Sequence, residues 1–382
     1  MQKEQTATLP KVHVFTTVED VFFRKQFSGF SSHLGGFEFT FGTDVPDDTD
    51  VLIVHTRASY SIPTWLPKER TVFFAGEPDV IHPYSTAFLN QFGQVVSTTT
   101  KDLATDLMRY PFCAIWFVGF DMTKPRDEDH LLGYDWFKEQ ACPPKLDKIS
   151  IVTSNKTFTP YHQKRLEFIR EIVELIPDHV ELFGHGHRSV DDKKDALLPY
   201  RYHLAIENGE GRDVWTEKLS DPYLCWSFPF YSGCTNVADY FPAESFHEVD
   251  LDNPKTAAAE MVRMMEHGHW QSVYPAIEDA RHKVLEEYNF ANLLVRIAQM
   301  VLEKDAPPRP KKVRMIWSER SYWPEPGSKG SIPEWMLRNT LLLVDKKVEL
   351  RTAKLQKAIE AKRGARRVAK RLAMEAKSRS GE

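Results

Sequence analysis

Cysteine is scarce in this sequence: four residues in 382, at Cys113, Cys142, Cys225 and Cys234, with no C-x-x-C pair. Spacing this wide argues against a disulfide framework and fits reduced thiols in the core of a cytosolic protein. No run of about eighteen apolar residues occurs, so no segment is expected to span a bilayer. The opening MQKEQTATLPKVHVF lacks the apolar stretch of a secretion signal. Neither sign of charge dominates. Lys and Arg number 50 against 54 Asp and Glu, a net charge of -4, which gives no whole-chain signature for nucleic acid or membrane. Internal repeats and sustained heptads are absent too. These absences predict a cytoplasmic protein, at most peripheral at the inner face of a membrane.

What is present is a globular composition. Apolar residues make up 42% and aromatics 12%, enough for real cores. The length suits two α/β domains plus extensions. Short apolar runs at 11–16, 50–56, 71–75 and 94–98 are separated by stretches long enough for crossovers, the pattern of a mostly parallel sheet covered on both faces. Composition turns polar and Pro-containing near 121–147, which reads as a linker. A second alternating set follows, with strands at 149–153, 180–183, 203–206 and 229–231 and helices at 160–176, 254–266 and 276–302. The expected fold is therefore α/β, with two Rossmann-like domains facing a cleft. The boundaries are 1–145 for the first domain, 146–272 for the second, 273–303 for a long helix packing back on both, and 304–382 for loop and basic helical tail.

The densest chemistry lies between Tyr200 and Phe241. An apolar strand runs into Glu207-Asn208, a Gly-rich polar stretch follows, and Thr216-Glu217-Lys218 opens a helix. Backbone N–H groups at a helix start attract an anion, and a lysine beside them adds a full charge. On spacing alone, an ordinary βαβ crossover with a solvated Glu-Lys pair explains the same residues. Pro222 complicates the helix: a start at Thr216 requires a kink, whereas Asp221 could cap a short helix with Pro222 at its first position.

The segments AIEN, DVWTEKL and FPFYSG, with NVADYFP and SFHEVD after them, resemble the donor-binding half of the α1,3-fucosyltransferases, glycosyltransferase family 10. Two further patches fit in order: TSNKTFTPYHQKRLEFI, with Asn155 and Arg165, and FFAGEP around Glu77. The resemblance covers about residues 70–300 and implies a GT-B fold, a GDP-fucose donor and inversion at the anomeric carbon. It implies no required cofactor, a divalent metal being at most stimulatory.

Residue by residue, the resemblance makes Arg165 the grip on the donor diphosphate, a role suited to a guanidinium fork. Lys218 becomes a second phosphate cation, Glu217 an acceptor for the ribose hydroxyls, and Asn208 a further donor-binding group. Glu77, at the carboxyl end of a strand, becomes the general base that takes the acceptor hydroxyl proton. Asn155 and Trp215 are additional candidates, Trp215 as an aromatic surface. One departure stands out, for Val214 occupies a position where the family carries tyrosine. Without the resemblance, Glu77 is a turn residue, Arg165 a solvated helix arginine and Asn208 part of an Asn-Gly turn.

Competing signals are weaker. His185-Gly186-His187 with His162 lacks supporting ligands for a metal site. Asp47-Asp48-Thr49-Asp50 resembles a metal-binding D-x-D but precedes a strand in the first half. Residues 351–382 carry 11 Lys and Arg against three Glu, with Leu355, Ile359, Val368 and Leu372 among them. Such a tail suits peripheral contact with an anionic membrane or a solvated helix; no aromatic platform interleaves it for nucleic acid. The expected activity is transfer of L-fucose from GDP-fucose to a glycan hydroxyl, α1,3-type linkage, the acceptor an oligosaccharide or lipopolysaccharide precursor of a bacterial cell. Two alternatives stay open: the same fold with another nucleotide sugar, and a non-catalytic sugar-nucleotide or glycan-binding protein.

Overall fold

The structure is a computed structural model describing residues 8–56, 58, 61–111, 115–153, 160–184, 187–322 and 332–341, with Leu355, Ala358, Lys362 and Arg366 beyond them. Its strands are β1 (Lys11–Phe15), β2 (His33–Leu34), β3 (Phe37–Gly42), β4 (Val51–Thr56), β5 (Ile62–Thr64), β6 (Thr71–Ala75), β7 (Gln94–Ser97), β8 (Asp106–Arg109), β9 (Leu146–Val152), β10 (Val180–Phe183), β11 (Tyr200–Gly211), β12 (Phe228–Cys234), β13 (His247–Glu248) and β14 (Arg314–Ile316).

Two parallel sheets organise them. The first runs in the order β2-β3-β1-β4-β6-β7-β8, parallel throughout except for the β2–β3 hairpin. The second runs β10-β9-β11-β12-β13, all parallel. Alternation along the strands explains why both faces of the first sheet are covered. Val51, Ile53, Val72 and Phe74 enter one buried cluster, while Leu52, Val54, Phe73 and Ala75 enter another on the opposite face. A sheet buried on both sides needs such continuous apolar runs. The second sheet has its own core, in which Ile149, Ile151, Leu204 and Phe230 meet Phe168 and Ile172 of the Pro160–Leu175 helix.

The stretch read as one helix over 276–302 is divided. A Tyr274–His282 helix passes through a π turn at Lys283–Glu287, where the Tyr288 N–H donates to Lys283 O at 2.7 Å, and a second helix spans Phe290–Glu303. Asn289 forces the break. Its side chain caps the second helix by accepting from Ala291 N, and its amide donates to Gln26 O at 2.9 Å in the first domain. Leu293, Leu294 and Ile297 then share one buried cluster with Val12 and Val51 of the first sheet and Leu219 of the second domain.

Residues 304–322 are more than a loop. Strand β14 pairs antiparallel with β5, and Ile316, Trp317 and Tyr322 fill the outer core of the first domain. The 121–147 stretch likewise contains a Tyr134–Glu139 helix with Phe137 buried. Of the basic tail's apolar residues only Leu355 is described, helical and exposed; Ile359, Val368 and Leu372 lie outside the described residues. No helix among the described residues is long and apolar enough to cross a membrane.

Candidate active site in the interdomain cleft

The carboxyl ends of the central strands of both sheets border one cavity of about 370 Å³. The first domain contributes His55 and Thr56 from the end of β4 and Gly76, Glu77 and Pro78 from the end of β6. The second contributes Glu207, Asn208 and Gly209 from β11, and Val214, Thr216, Glu217 and Lys218. Carboxyl ends of parallel strands are where α/β folds place ligands. The Asp47–Asp50 run precedes β4, at the opposite end of the sheet, and Asp48 pairs with Lys11.

Local backbone geometry sets Glu77 in place. Thr56 adopts φ of 72°, a left-handed conformation that is unfavourable for a β-branched residue. A Cβ on Gly76 would lie 2.1 Å from Thr56 Oγ1, so only glycine lets β6 leave the sheet beside this kink. The turn after Glu77 is closed by the Ile81 and His82 N–H groups, which donate to Pro78 O. Its tip meets the second domain: a Cβ on Gly209 would fall 3.2 Å from both Ile81 Cδ1 and Val80 Cγ2. His82 is buried and bonds through Nε2 to Glu319 Oε1 at 2.6 Å, which fixes the turn to the 304–322 segment.

The stretch after Asn208 is strand rather than glycine loop. β11 continues to Gly211, and its pairing with β12 shifts register between Ile206 and Gly211. Glu207 is the reason the chain then turns into a helix at a fixed point. Only 1% exposed, its carboxylate accepts from Thr216 N at 2.8 Å and Thr216 Oγ1 at 2.6 Å. Thr216 is the N-cap of a Glu217–Leu224 helix, its hydroxyl accepting from Lys218 N. The helix includes Pro222 rather than starting at it, so Asp221 is an interior residue and not a cap.

Lys218 stands between two carboxylates, 3.1 Å from Glu217 and 3.7 Å from Glu207. Burial opposes its charge, but Glu217 and Glu207 outweigh burial and hold its pKa above the ordinary lysine value. Burial pushes Glu207 above the usual carboxylate range against the pull of Lys218. For Glu217 the balance is reversed: Lys218 and Lys193 overcome burial and keep it below.

Arg165 lies inside the Pro160–Leu175 helix, 4% exposed, behind the cavity wall rather than on it. Its Nη1 donates to Asn208 Oδ1 at 2.6 Å, which links it to the cleft. Trp215 does not supply an aromatic surface there. It is 1% exposed, with its ring centroid 5.2 Å from Phe241 and 5.4 Å from Tyr288. Val214 lines the cavity instead, since successive residues of an extended segment point to opposite sides. Asn155, His185 and Gly186 lie outside the described residues. Among the described residues no group of three or more His, Cys, Asp or Glu could hold a metal ion.

Three participants escape sequence reasoning. Glu207 stands in the sequence only as the residue where an apolar strand runs into Asn208. His55 is buried, which drops its pKa to about 3 and keeps the ring neutral. Thr56 carries the strain described above. A polar His-Thr pair ending an apolar strand was the available signal for the last two.

Two Rossmann-like sheets that face each other across a polar cleft form the GT-B arrangement. Residues 143–282 match the family model described as "Glycosyltransferase family 10 (fucosyltransferase) C-term". The second domain thus resembles a glycosyltransferase family 10 domain, and the resemblance drawn from AIEN and TEKL holds across residues 143–282. Among curated proteins, the "4-galactosyl-N-acetylglucosaminide 3-alpha-L-fucosyltransferase 9" of Rattus norvegicus is 30% identical over 152 residues, 36% of this chain and 40% of the relative. The "Alpha-(1,3)-fucosyltransferase FucT" of Helicobacter pylori is 36% identical over 61 residues, 16% of this chain and 13% of the relative. The chain thus spans 40% or less of the length of these relatives. A crystal structure of an alpha1,3-fucosyltransferase with GDP-fucose superposes with a TM-score of 0.46 at 18% identity, covering 81% of this chain and 96% of that chain.

Proposed function

We propose that this protein is an inverting glycosyltransferase that moves L-fucose from GDP-fucose to a hydroxyl of a glycan acceptor, with an α1,3-type linkage. One observation carries the reading: Glu77 of the first domain shares a single cavity with Asn208, Glu217 and Lys218 of a family 10 domain. The acceptor oxygen forms a bond to the anomeric carbon as the bond from that carbon to the β-phosphate oxygen breaks. Glu77 takes the acceptor proton, and the electron pair leaves on the diphosphate. Arg165 and Lys218 stabilise that charge, Asn208 orients the phosphate with Arg165, and Glu217 accepts from the ribose hydroxyls. The step needs no metal, which would be at most stimulatory.

Glu77→Gln tests this directly. Turnover of GDP-fucose with a glycan acceptor should fall at least a thousandfold while GDP affinity stays within about twofold. Normal turnover by the variant removes Glu77 from the role of base.

A second reading rests on Val214, an aliphatic residue on the cavity wall where the family carries tyrosine. It gives the same fold another nucleotide sugar. A thermal-shift panel separates the two, because ligand at about a hundred times its Kd adds roughly 2.7 kcal/mol of stability. A shift with a UDP sugar and none with GDP or GDP-fucose favours the second.

A further inference from the structure

Donor chemistry leaves one wall of the cleft unused. The charged groups come from the second domain or from Glu77, whereas Val18, Pro78, Ile81, Ile115 and Phe117 of the first domain present carbon to the cavity. Phe117 is the outlier among them. It is 47% exposed, although Trp116 and Val118 on either side are buried. Leaving a phenylalanine half in water forgoes roughly 1–2 kcal/mol of the burial it can provide. Among the described residues its ring stacks on no other aromatic ring.

The backbone beneath this ring is held by buried charged groups. Phe117 N–H donates to Asp221 Oδ2 at 3.3 Å, and that oxygen also accepts from Lys193 Nζ at 2.8 Å. Val118 O accepts from the fully buried Lys25 Nζ at 2.7 Å, and Gly119 N–H donates to Asp192 Oδ1 at 3.0 Å. Three consecutive residues are thereby fixed. The exposed ring is presented by an anchored segment, as a preformed platform must be.

We propose that Phe117 is the positioning platform for the acceptor: the C–H face of a pyranose ring stacks on it and directs one ring hydroxyl toward Glu77. This rests on the transfer reading above and adds to it the residue that holds the acceptor. A pyranose has polar edges and apolar faces, so a flat aromatic surface flanked by neutral hydrogen-bonding groups suits it. His55 and Thr56, on the same cavity, supply those groups. A serine or threonine hydroxyl on a flexible peptide has no face to lay on the ring, and water has none either. The platform therefore selects pyranosides over peptides and over hydrolysis.

The test uses the full chain, GDP-fucose, and a 4-galactosyl-N-acetylglucosaminide as acceptor probe. Phe117→Ala should raise the probe's KM at least tenfold, about 1.4 kcal/mol. The Kd for GDP and the slow hydrolysis of GDP-fucose without acceptor should stay within twofold, and Phe117→Trp should restore the KM. An unchanged probe KM overturns the proposal. So does an equal loss of GDP affinity or donor hydrolysis, which moves the ring to the donor side. Should the unaltered protein neither bind GDP nor consume GDP-fucose, the transfer reading has failed. Saturation-transfer NMR of the probe then judges the platform alone. Ring-proton signals lost in Phe117→Ala support it; signals that persist, or are absent from the unaltered protein, overturn it.

Discussion

Arg165 and Asn208 form one unit, with Arg165 Nη1 donating to Asn208 Oδ1 at 2.6 Å from a buried position on the Pro160–Leu175 helix. The amide oxygen holds one arm of the guanidinium and so sets the plane of the fork. Burial disfavours the charged arginine and lowers its pKa, with Glu207 opposing that loss. A cation held at some expense directly behind Asn208 of a polar cleft suits an anionic ligand.

Arg165→Lys should therefore weaken GDP binding by about tenfold to a hundredfold, because an ammonium cannot reproduce the planar fork. Asn208→Ala should weaken it by a smaller factor. Combined, the two losses should fall short of additive by about 0.5–3 kcal/mol, as contacting residues do. Isothermal titration with GDP measures all three. Strict additivity would mean that Asn208 and Arg165 act separately on the nucleotide.

The His82–Glu319 bond makes a different claim. It joins the turn that follows Glu77 to a segment 237 residues away, with both side chains buried. Replacing Glu319 by Ala leaves His82 Nε2 without this partner in a dry site, and a buried polar group left unsatisfied costs about 1–3 kcal/mol. Urea denaturation should show that loss. Any folded Glu319→Ala protein should turn over more slowly yet bind GDP normally, since the residues proposed to hold the nucleotide lie in the other domain. Reduced GDP affinity with unchanged stability would contradict this.

Much of this was legible in the sequence, for identifiable reasons. Both faces of the first sheet are apolar, so continuous runs such as VLIVH and TVFFA announced buried parallel strands. Glu217, Lys218 and Asn208 sit within a few residues of one another, and local motifs survive in linear sequence. Relationships between distant residues did not. Residues 304–322 are rich in proline and charge and read as loop, although pairing with β5 makes them part of the first domain. Glu207 received no role because nothing in AIENGEG shows that Thr216 will close over its carboxylate. Trp215 looked available because a one-residue difference in facing separates it from Val214, and that facing depends on the tertiary fold.

Asp221, buried behind Phe117, offers a test read through pH. Its carboxyl is fully buried, and burial raises its pKa from 3.8 to about 6 despite Lys193. The folded protein therefore binds this proton more tightly than the unfolded chain does. Its favourable contribution is present in full below about pH 4 and is lost as pH rises through about 6. A shift of about two pKa units corresponds to roughly 3 kcal/mol. His13 and His55 slope the other way: burial lowers them to about 4 and about 3, so their contribution is lost as pH falls. The informative quantity is thus the difference between Asp221→Asn and the unaltered protein, in which the histidines cancel. Asparagine can still accept from Phe117 N–H and stays neutral throughout, so its own contribution does not vary between pH 4 and 7. Against that constant offset, the variant should gain relative stability steadily from pH 4 to about pH 6.5 and then level off. Chemical denaturation at half-unit pH intervals measures it, and parallel curves would show that Asp221 does not titrate in this range.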